Sequence, residues 1–137
     1  MRQPIRAILF DLDDTLLGNN IDRFLPHYFS LLAPYVAHLA PPDTFLPALL
    51  AATRAMVQNT DPTVTNQQAF VADFFPRVGR APEEMMPAFD AFYATQFGKL
   101  EAHTRRRPEA RTTVQAAFDA GYAVAVATNP LFPETAI

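Results

Sequence analysis

The sequence predicts an α/β protein in which two strands of a parallel sheet flank a long helical insertion. Two short apolar runs, residues 5–10 and 122–127, lie near opposite ends of the 137-residue chain. Runs of this kind are typical of strands that parallel sheets bury on both faces. A helical segment precedes the second run, and helix followed by strand is the order found in α/β folds. The residues between the two runs show helical spacing and no strand signal.

The helix before the second strand is predicted to cover residues 108–120. Pro108 suits the first helical position, and Glu109 suits the positive end of the helix dipole. Gly121 follows where a C-terminal cap is expected. An apolar stripe on one side of the helix consists of Val114, Ala117, Phe118 and Tyr122.

The first two helices of the insertion are predicted from apolar residues spaced three and four apart. In the first helix these are Phe24, Tyr28, Leu31, Tyr35 and Leu39. Pro34 should kink this helix, and the pair Pro41-Pro42 should end it. Asp43 or Thr44 can cap the second helix.

Two more helices are predicted before the second strand. Thr65 or Asn66 can cap a third helix that ends near Gly79. A fourth helix opens at Pro82 and runs to Gly98, with Glu83 and Glu84 in its first turn. The aromatic and methionine stripes of these helices are better explained by helix packing than by a ligand pocket, since their spacing alone accounts for them.

Composition excludes several classes of function. The chain has no cysteine, so disulfides and thiolate chemistry are ruled out, and its net charge of −3 does not favour a nucleic-acid partner. The basic run at 105–107 is interpreted as a solvated hinge. His38 and His103 lack the spacing of a zinc or iron site. Neither a signal peptide nor a membrane span is predicted, so a cytoplasmic location is expected.

An acidic cluster follows the first strand and carries the main chemical signal. Asp11 and Asp13 are two residues apart, with Thr15 at the same spacing. If the strand continues that far, both carboxylates project to one side. Carboxylates so close repel each other unless a cation lies between them, and Mg²⁺ prefers oxygen ligands. An aspartate can also attack phosphorus, and a second carboxyl group can transfer the protons.

Polar residues also follow the second strand. Thr128 and Asn129 offer a hydroxyl group and backbone amides that can hold phosphate oxygens. In open parallel sheets, ligands bind at the carboxyl ends of the strands. Each signal has a purely structural alternative: helix capping for the acidic cluster, and turn formation for Thr-Asn-Pro. The two together favour a phosphate site.

Residues 8–16 (ILFDLDDTL) resemble the first motif of the haloacid dehalogenase-like hydrolase superfamily, an apolar strand followed by D-x-D-x-T. Residues 124–129 (VAVATN) resemble its second motif. The resemblance, to the N-terminal portion of the C1-capped phosphatase branch, implies an incomplete Rossmann-like parallel sheet with two strands present. The partial core would comprise residues 1–17 and 106–137. Residues 18–105 would form an inserted four-helix C1 cap.

The resemblance also implies roles for individual residues. Asp11 would be the nucleophile and a magnesium ligand. Asp13 would be the general acid and base, and its backbone carbonyl would bind the metal. Thr128 and Asn129 would bind the phosphoryl group. Thr15 would brace the loop.

Asp13 favours phosphoryl transfer over dehalogenation, because the dehalogenase branch lacks this aspartate. The expected activity is a Mg²⁺-dependent phosphatase that acts on a small phosphorylated metabolite through an aspartyl-phosphate. The alternatives are a sugar-phosphate mutase of the same superfamily and a non-catalytic interaction module that retains a half-site. Substrate specificity would lie in residues 18–20 and in facing cap residues such as Arg23 and His27.

The family's third and fourth motifs, a basic residue and further acids, are missing from the sequence. Glu134 is the only acid after Asn129, and no basic residue follows it. Lys99 and the basic run at 105–107 are poor substitutes, because they belong to the cap or its hinge. We therefore expect the isolated chain to be inactive. We also expect it to self-associate or to contact a missing C-terminal part, since two strands and one helix leave apolar strand edges exposed.

Overall fold

The computed structural model of the chain describes residues 4–133 and residue 136. It is an α/β structure, mostly helical. In chain order its elements are β1 (Ala7–Phe10), β2 (Leu17–Gly18), α1 (Ile21–Val36), α2 (Pro42–Gln58), α3 (Asn66–Val78), α4 (Pro82–Thr95), a 3-10 helix (Phe97–His103), β3 (Arg105–Arg106), α5 (Pro108–Asp119) and β4 (Ala123–Val126).

The chain divides into two compact units. The first comprises Met1–Leu25 and Glu101–Asn129, and the second comprises Pro26–Leu100 and Pro130–Ile137. The sequence predicts that the helical insertion begins after residue 17 and ends at residue 105. The observed division falls some residues away from both positions. Residues 1–3 and Glu134, on which part of the sequence interpretation fell, lie outside the described residues.

The first unit contains the parallel pair of strands that the sequence predicted. β1 and β4 run parallel, with Ala7 opposite Ala123 and Phe10 opposite Val126. A second, antiparallel pair joins β2 to β3, with Leu17 opposite Arg106. The two apolar runs at opposite ends of the sequence are therefore neighbours in space.

The prediction that these strands are buried on both faces is wrong. Leu9 is 64% exposed and Val126 is 57% exposed, and Ile5 just before β1 is 74% exposed. In the described part of this unit, α5 is the one α-helix that lies wholly within it. A single helix cannot cover both faces of a sheet, so apolar surface stays open. The expectation of exposed apolar strand residues is met.

Helix α5 has the ends that its sequence predicts. Pro108 occupies the start of the helix, and Glu109 lies in the first turn. Gly121 has a φ of 81°, and its N–H donates to the carbonyl of Phe118 at 2.9 Å. Glycine adopts this left-handed conformation without the penalty that a Cβ atom causes. The turn leads the chain directly into β4.

The second unit has an aromatic core. The aromatic stripes of its helices interdigitate, as the helix-packing interpretation predicted; for example, the Phe45 and Phe74 rings meet edge to face at 5.8 Å. Among the described residues, the largest fully buried side chains belong to this unit and are Phe45, Phe74, Phe92, Leu32, Met85, Leu100 and Val36.

Two tyrosine hydroxyl groups form a hydrogen bond inside the second unit. The Tyr28 and Tyr93 oxygens lie 2.8 Å apart, and either can donate. Burial is the main cause that raises the pKa of Tyr28 well above its ordinary value, with the neighbouring Tyr93 adding to it. Burial also raises the pKa of Tyr93 to about 12. Both phenols are therefore held neutral.

The helix ends agree only partly with the sequence. Of the two residues predicted to cap α3, Thr65 and Asn66, Thr65 is the cap, and it forms a capping box with Gln68. Helix α2 instead begins after Pro41, and neither Asp43 nor Thr44 caps it. Proline at the first helical position needs no partner for an N–H, which lowers the need for a side-chain cap. Helix α4 ends at Thr95, before Gly98, because a 3-10 helix takes over.

The residues after Asn129 pack with the second unit. The Phe132 ring lies 5.2 Å from the Tyr28 ring and 5.2 Å from the Phe97 ring. The Asn66 side-chain amide donates to the carbonyl of Pro130 at 3.3 Å. The sequence interpretation had included this segment in the partial core, residues 106–137. No helix in the described part of the chain is long and apolar enough to cross a membrane.

Candidate active site

Asp11 is the first residue beyond β1, and its carboxylate is exposed. The Thr15 hydroxyl donates to Asp11 Oδ2 at 3.4 Å, which agrees with a bracing role for Thr15. Strand β1 ends at Phe10, so the condition under which Asp11 and Asp13 would share one side of a strand is not met. The conformation of the loop after β1 therefore decides where the two carboxylates lie relative to each other.

That loop is a tight turn around the Leu12 carbonyl. This oxygen accepts the N–H groups of Thr15, Leu16 and Leu17 at 3.2, 3.0 and 2.9 Å. Asp13 and Leu17 form an isolated bridge. These contacts fix the backbone of the loop that carries Asp11 and Asp13.

Asp13 is half-buried and is held by Asn19. The Asn19 side-chain amide donates to Asp13 Oδ1 at 2.8 Å. Asn19 is only 5% exposed, and its Oδ1 has no hydrogen-bond partner among the described residues. The sequence placed Asn19 in a segment for substrate specificity and gave no sign of this contact. A contact between side chains six residues apart matches neither helix nor strand spacing, so the sequence pattern does not reveal it.

Asp14 adopts a left-handed backbone conformation, with a φ of 54°. Its Oδ1 lies 2.5 Å from the Arg107 guanidinium, across a separation of 93 residues. Asparagine and aspartate are among the few residues with a Cβ that tolerate this region. The sequence interpretation left Asp14 without a role and treated the 105–107 run as solvated. The structure instead joins Arg107 to the acidic loop, while its Nε is buried without a partner in the described chain.

Gly18 allows β2 and β3, the strands before and after the helical insertion, to approach closely. A Cβ atom at Gly18 would lie 2.3 Å from Cγ of Arg105 and 3.0 Å from its carbonyl oxygen. A side chain at this position would therefore force the Arg105 side chain to move and would crowd the Arg105 carbonyl oxygen. A glycine within a strand often marks such a close backbone approach, so the sequence did hold this signal.

Thr128 and Asn129 leave the sheet at the same edge as Asp11. The Ala127 N–H donates to the Phe10 carbonyl at 2.8 Å, one hydrogen bond beyond the last paired residues. Thr128 is half-buried and Asn129 is exposed. Both Asp11 and Thr128 lie past the regular ladder, where strand alternation ends. The register alone therefore assigns neither side chain to a face.

The described residues include no group of three or more His, Asp or Glu side chains clustered as a metal site requires. Mg²⁺ commonly binds through one or two carboxylates and keeps several waters. The exposed Asp11 carboxylate fits that demand as a single protein ligand.

No family model matches the chain, and neither the curated proteins nor the solved structures include a match to it.

Proposed function

We propose that this chain carries the nucleophile and phosphate-binding half of a Mg²⁺-dependent phosphatase site of the haloacid dehalogenase-like type. The observation that supports it best is the parallel pairing of β1 with β4. Because the carboxyl ends of parallel strands meet at one edge, the Asp-x-Asp-x-Thr loop and the Thr-Asn loop leave the sheet together. The meeting of the two family-like motifs at one edge of the sheet supports the proposal.

In the proposed reaction the Asp11 carboxylate attacks the phosphorus of a phosphomonoester. A bond forms between an Asp11 oxygen and phosphorus, and the bond from phosphorus to the ester oxygen breaks. Asp13 gives its proton to the departing alkoxide, which leaves as the alcohol. Asp13 then takes a proton from water, and the resulting hydroxide attacks phosphorus to release phosphate and restore Asp11.

The remaining residues bind the phosphoryl group and keep the loop in shape. The hydroxyl group of Thr128 and the amide of Asn129 would donate to phosphoryl oxygens, which carry the charge that develops in the transition state. Thr15 holds Asp11 through the 3.4 Å hydrogen bond. Bound Mg²⁺, held by Asp11 and the Asp13 carbonyl, would reduce the repulsion between the Asp11 carboxylate and the phosphate.

The proposal includes the context expected for such an enzyme. The helical insertion, residues 18–105, would serve as a four-helix C1 cap. The substrate would be a small phosphorylated metabolite in the cytoplasm, with no nucleic-acid or membrane partner. A phosphatase is preferred to a mutase because phosphatases dominate the family.

One observation favours a second function, a non-catalytic interaction module that keeps the half-site. The exposure of Leu9 and Val126, at 64% and 57%, leaves apolar strand surface that a partner would cover. Such a module would bind its partner equally well after Asp11→Asn substitution. A phosphatase would lose its reaction.

The test of the proposed function is transfer of a phosphoryl group to Asp11. The chain is incubated with Mg²⁺ and acetyl phosphate, whose acetate leaving group needs no proton. Intact-mass and peptide mass spectrometry then locate any phosphoryl group. We expect one hydroxylamine-sensitive phosphoryl group on Asp11, with slower uptake in Thr128→Ala.

The matched control is Asp119→Asn, which removes an exposed carboxylate in the same unit that accepts a hydrogen bond from Gln115 at 2.9 Å. Asp11→Asn should abolish phosphorylation, and Asp119→Asn should leave it unchanged. A folded chain that takes up no phosphoryl group contradicts the proposal. Equal phosphorylation of the Asp11→Asn variant and the unsubstituted chain would also contradict the proposal.

A further inference from the structure

The Asn19 side chain is buried although only part of its hydrogen-bonding capacity is used. It is 5% exposed, and one of its amide hydrogens is donated to Asp13 Oδ1 at 2.8 Å. Its own oxygen has no partner in the described part of the chain. A buried polar atom without a partner reduces stability, so such atoms call for an explanation, and a catalytic role is one of those that recur.

The backbone holds Asn19 in place on both sides. The Asn19 N–H donates to the Leu17 carbonyl at 3.0 Å. Gly18, just before it, is fixed by the β2–β3 pairing opposite Arg105. Asn20, just after it, accepts the Arg23 N–H at 3.1 Å through its side chain, at the start of α1. The amide is therefore presented to Asp13 from a segment that is hydrogen-bonded on both sides.

We propose that Asn19 is a positioning residue that fixes the carboxyl group of Asp13 for proton transfer. The inference rests on the proposed function, in which Asp13 is the acid and base. A carboxyl group on a free side chain rotates about its last bond. The Asn19 hydrogen bond occupies one carboxyl oxygen and stops that rotation, which leaves the other oxygen to give a proton to the leaving alkoxide and to take one from water. Geometry of this kind matters because small misplacements cost large factors in rate.

The test separates the two steps of the reaction on one chain. Transfer from acetyl phosphate to Asp11 needs no proton from Asp13, whereas hydrolysis of the aspartyl-phosphate needs Asp13 as base. In Asn19→Ala we expect the transfer rate to stay within about twofold of the unsubstituted chain. We expect the aspartyl-phosphate to last about tenfold longer, because part of the general-base contribution is lost. Asp13→Asn sets the upper limit of that lifetime.

The matched control is Asn59→Ala. Asn59 is another partly buried asparagine whose amide donates to a backbone carbonyl, that of Val64, at 3.2 Å. Its substitution should change neither step. An unchanged lifetime in Asn19→Ala overturns the inference, and so does an equal slowing of both steps, which would indicate a general structural role. A chain that is never phosphorylated overturns the proposed function instead, and the catalytic part of the inference with it.

A second measurement does not depend on catalysis or on the folding of Asn19→Ala. Hydrogen exchange of the Asn19 side-chain amide is followed by NMR in the unsubstituted chain and in Asp13→Ala. If Asn19 holds Asp13, the exchange of this amide should be slow and should speed up about tenfold or more when its acceptor is removed. Equal exchange in the two proteins would show that the contact is absent in solution, and would overturn the inference whatever the kinetics.

Discussion

The acidic loop is predicted to prefer glycine to alanine at position 14. Asp14 has a φ of 54°, in the left-handed region. A residue with a Cβ pays roughly 1–2 kcal/mol there, and aspartate pays less than alanine because its short polar side chain is tolerated. Asp14→Gly and Asp14→Ala both remove the carboxylate that pairs with Arg107. Their difference in stability therefore isolates the backbone term.

The magnitudes follow from the geometry. The Asp14–Arg107 pair is short, at 2.5 Å, but the two side chains are 58% and 25% exposed, so the pair contributes roughly 0–1 kcal/mol. In Asp14→Gly this loss is offset by relief of backbone strain, and the net change should be near zero. In Asp14→Ala the loss adds to the penalty for alanine. Since glycine also adds freedom to the unfolded chain, we expect glycine to be the more stable variant by about 1 kcal/mol.

The assay is hydrogen exchange at the Leu17 amide, which donates to the Leu12 carbonyl at 2.9 Å and reports opening of this loop. Exchange at this amide should be about fivefold faster in Asp14→Ala than in Asp14→Gly, which corresponds to about 1 kcal/mol. Arg107→Ala in the Asp14→Gly background should have no further effect through the pair. Equal protection in the two variants, or greater protection with alanine, would refute the backbone assignment.

Three further predictions concern other parts of the chain. The Tyr28–Tyr93 pair should make the second unit sensitive to alkali, because unfolded tyrosine ionises at its ordinary pKa of 10.0 whereas burial raises the pKa of Tyr93 to about 12. The stability that the neutral Tyr93 phenol contributes is complete below pH 10 and is lost as the pH rises through 12, by on the order of 2 kcal/mol. Unfolding followed by circular dichroism as a function of pH will measure this loss. Lysine in place of Leu9, which is 64% exposed, should reduce self-association of the chain in light scattering, whereas a clean monomer before substitution would count against it. Steady-state release of phosphate from an aryl phosphate with Mg²⁺ should stay at the blank level, because an aryl phosphate is a poorer phosphoryl donor than acetyl phosphate. The hydrogen bond that the Asp11 carboxylate accepts in the described structure comes from the uncharged Thr15, which cannot offset the charge of the phosphate. Clear turnover would contradict this prediction.

Local features could be predicted where one short segment decides the outcome. Thr65 and Gln68 lie three residues apart and close a capping box without help from distant residues. Pro108 and Gly121 fix the ends of α5 in the same way. The parallel pairing of β1 and β4 was predictable because both runs are apolar and end in polar residues. These features depend on propensity and spacing, which the sequence displays directly.

The parts that could not be predicted depend on distant residues or on what covers a surface. The Asp14–Arg107 contact joins residues 93 positions apart, and neither carries a signal for the other. The Asn19–Asp13 hydrogen bond depends on the path of the loop around Leu12. The strands were expected to be buried because their apolar composition shows that burial is favourable. Composition does not show which element would cover Leu9 and Val126.

The pairing that the proposed site requires can be measured directly by nuclear Overhauser contacts in a uniformly labelled chain. The account predicts contacts between backbone protons of β1 and β4 in the parallel register, continuing past Val126 to join the Asp11 side chain with protons of Ala127 and Thr128. An antiparallel or shifted register would contradict it. So would a parallel register in which Asp11 and Thr128 share no contact, because phosphate could then not bridge the two loops.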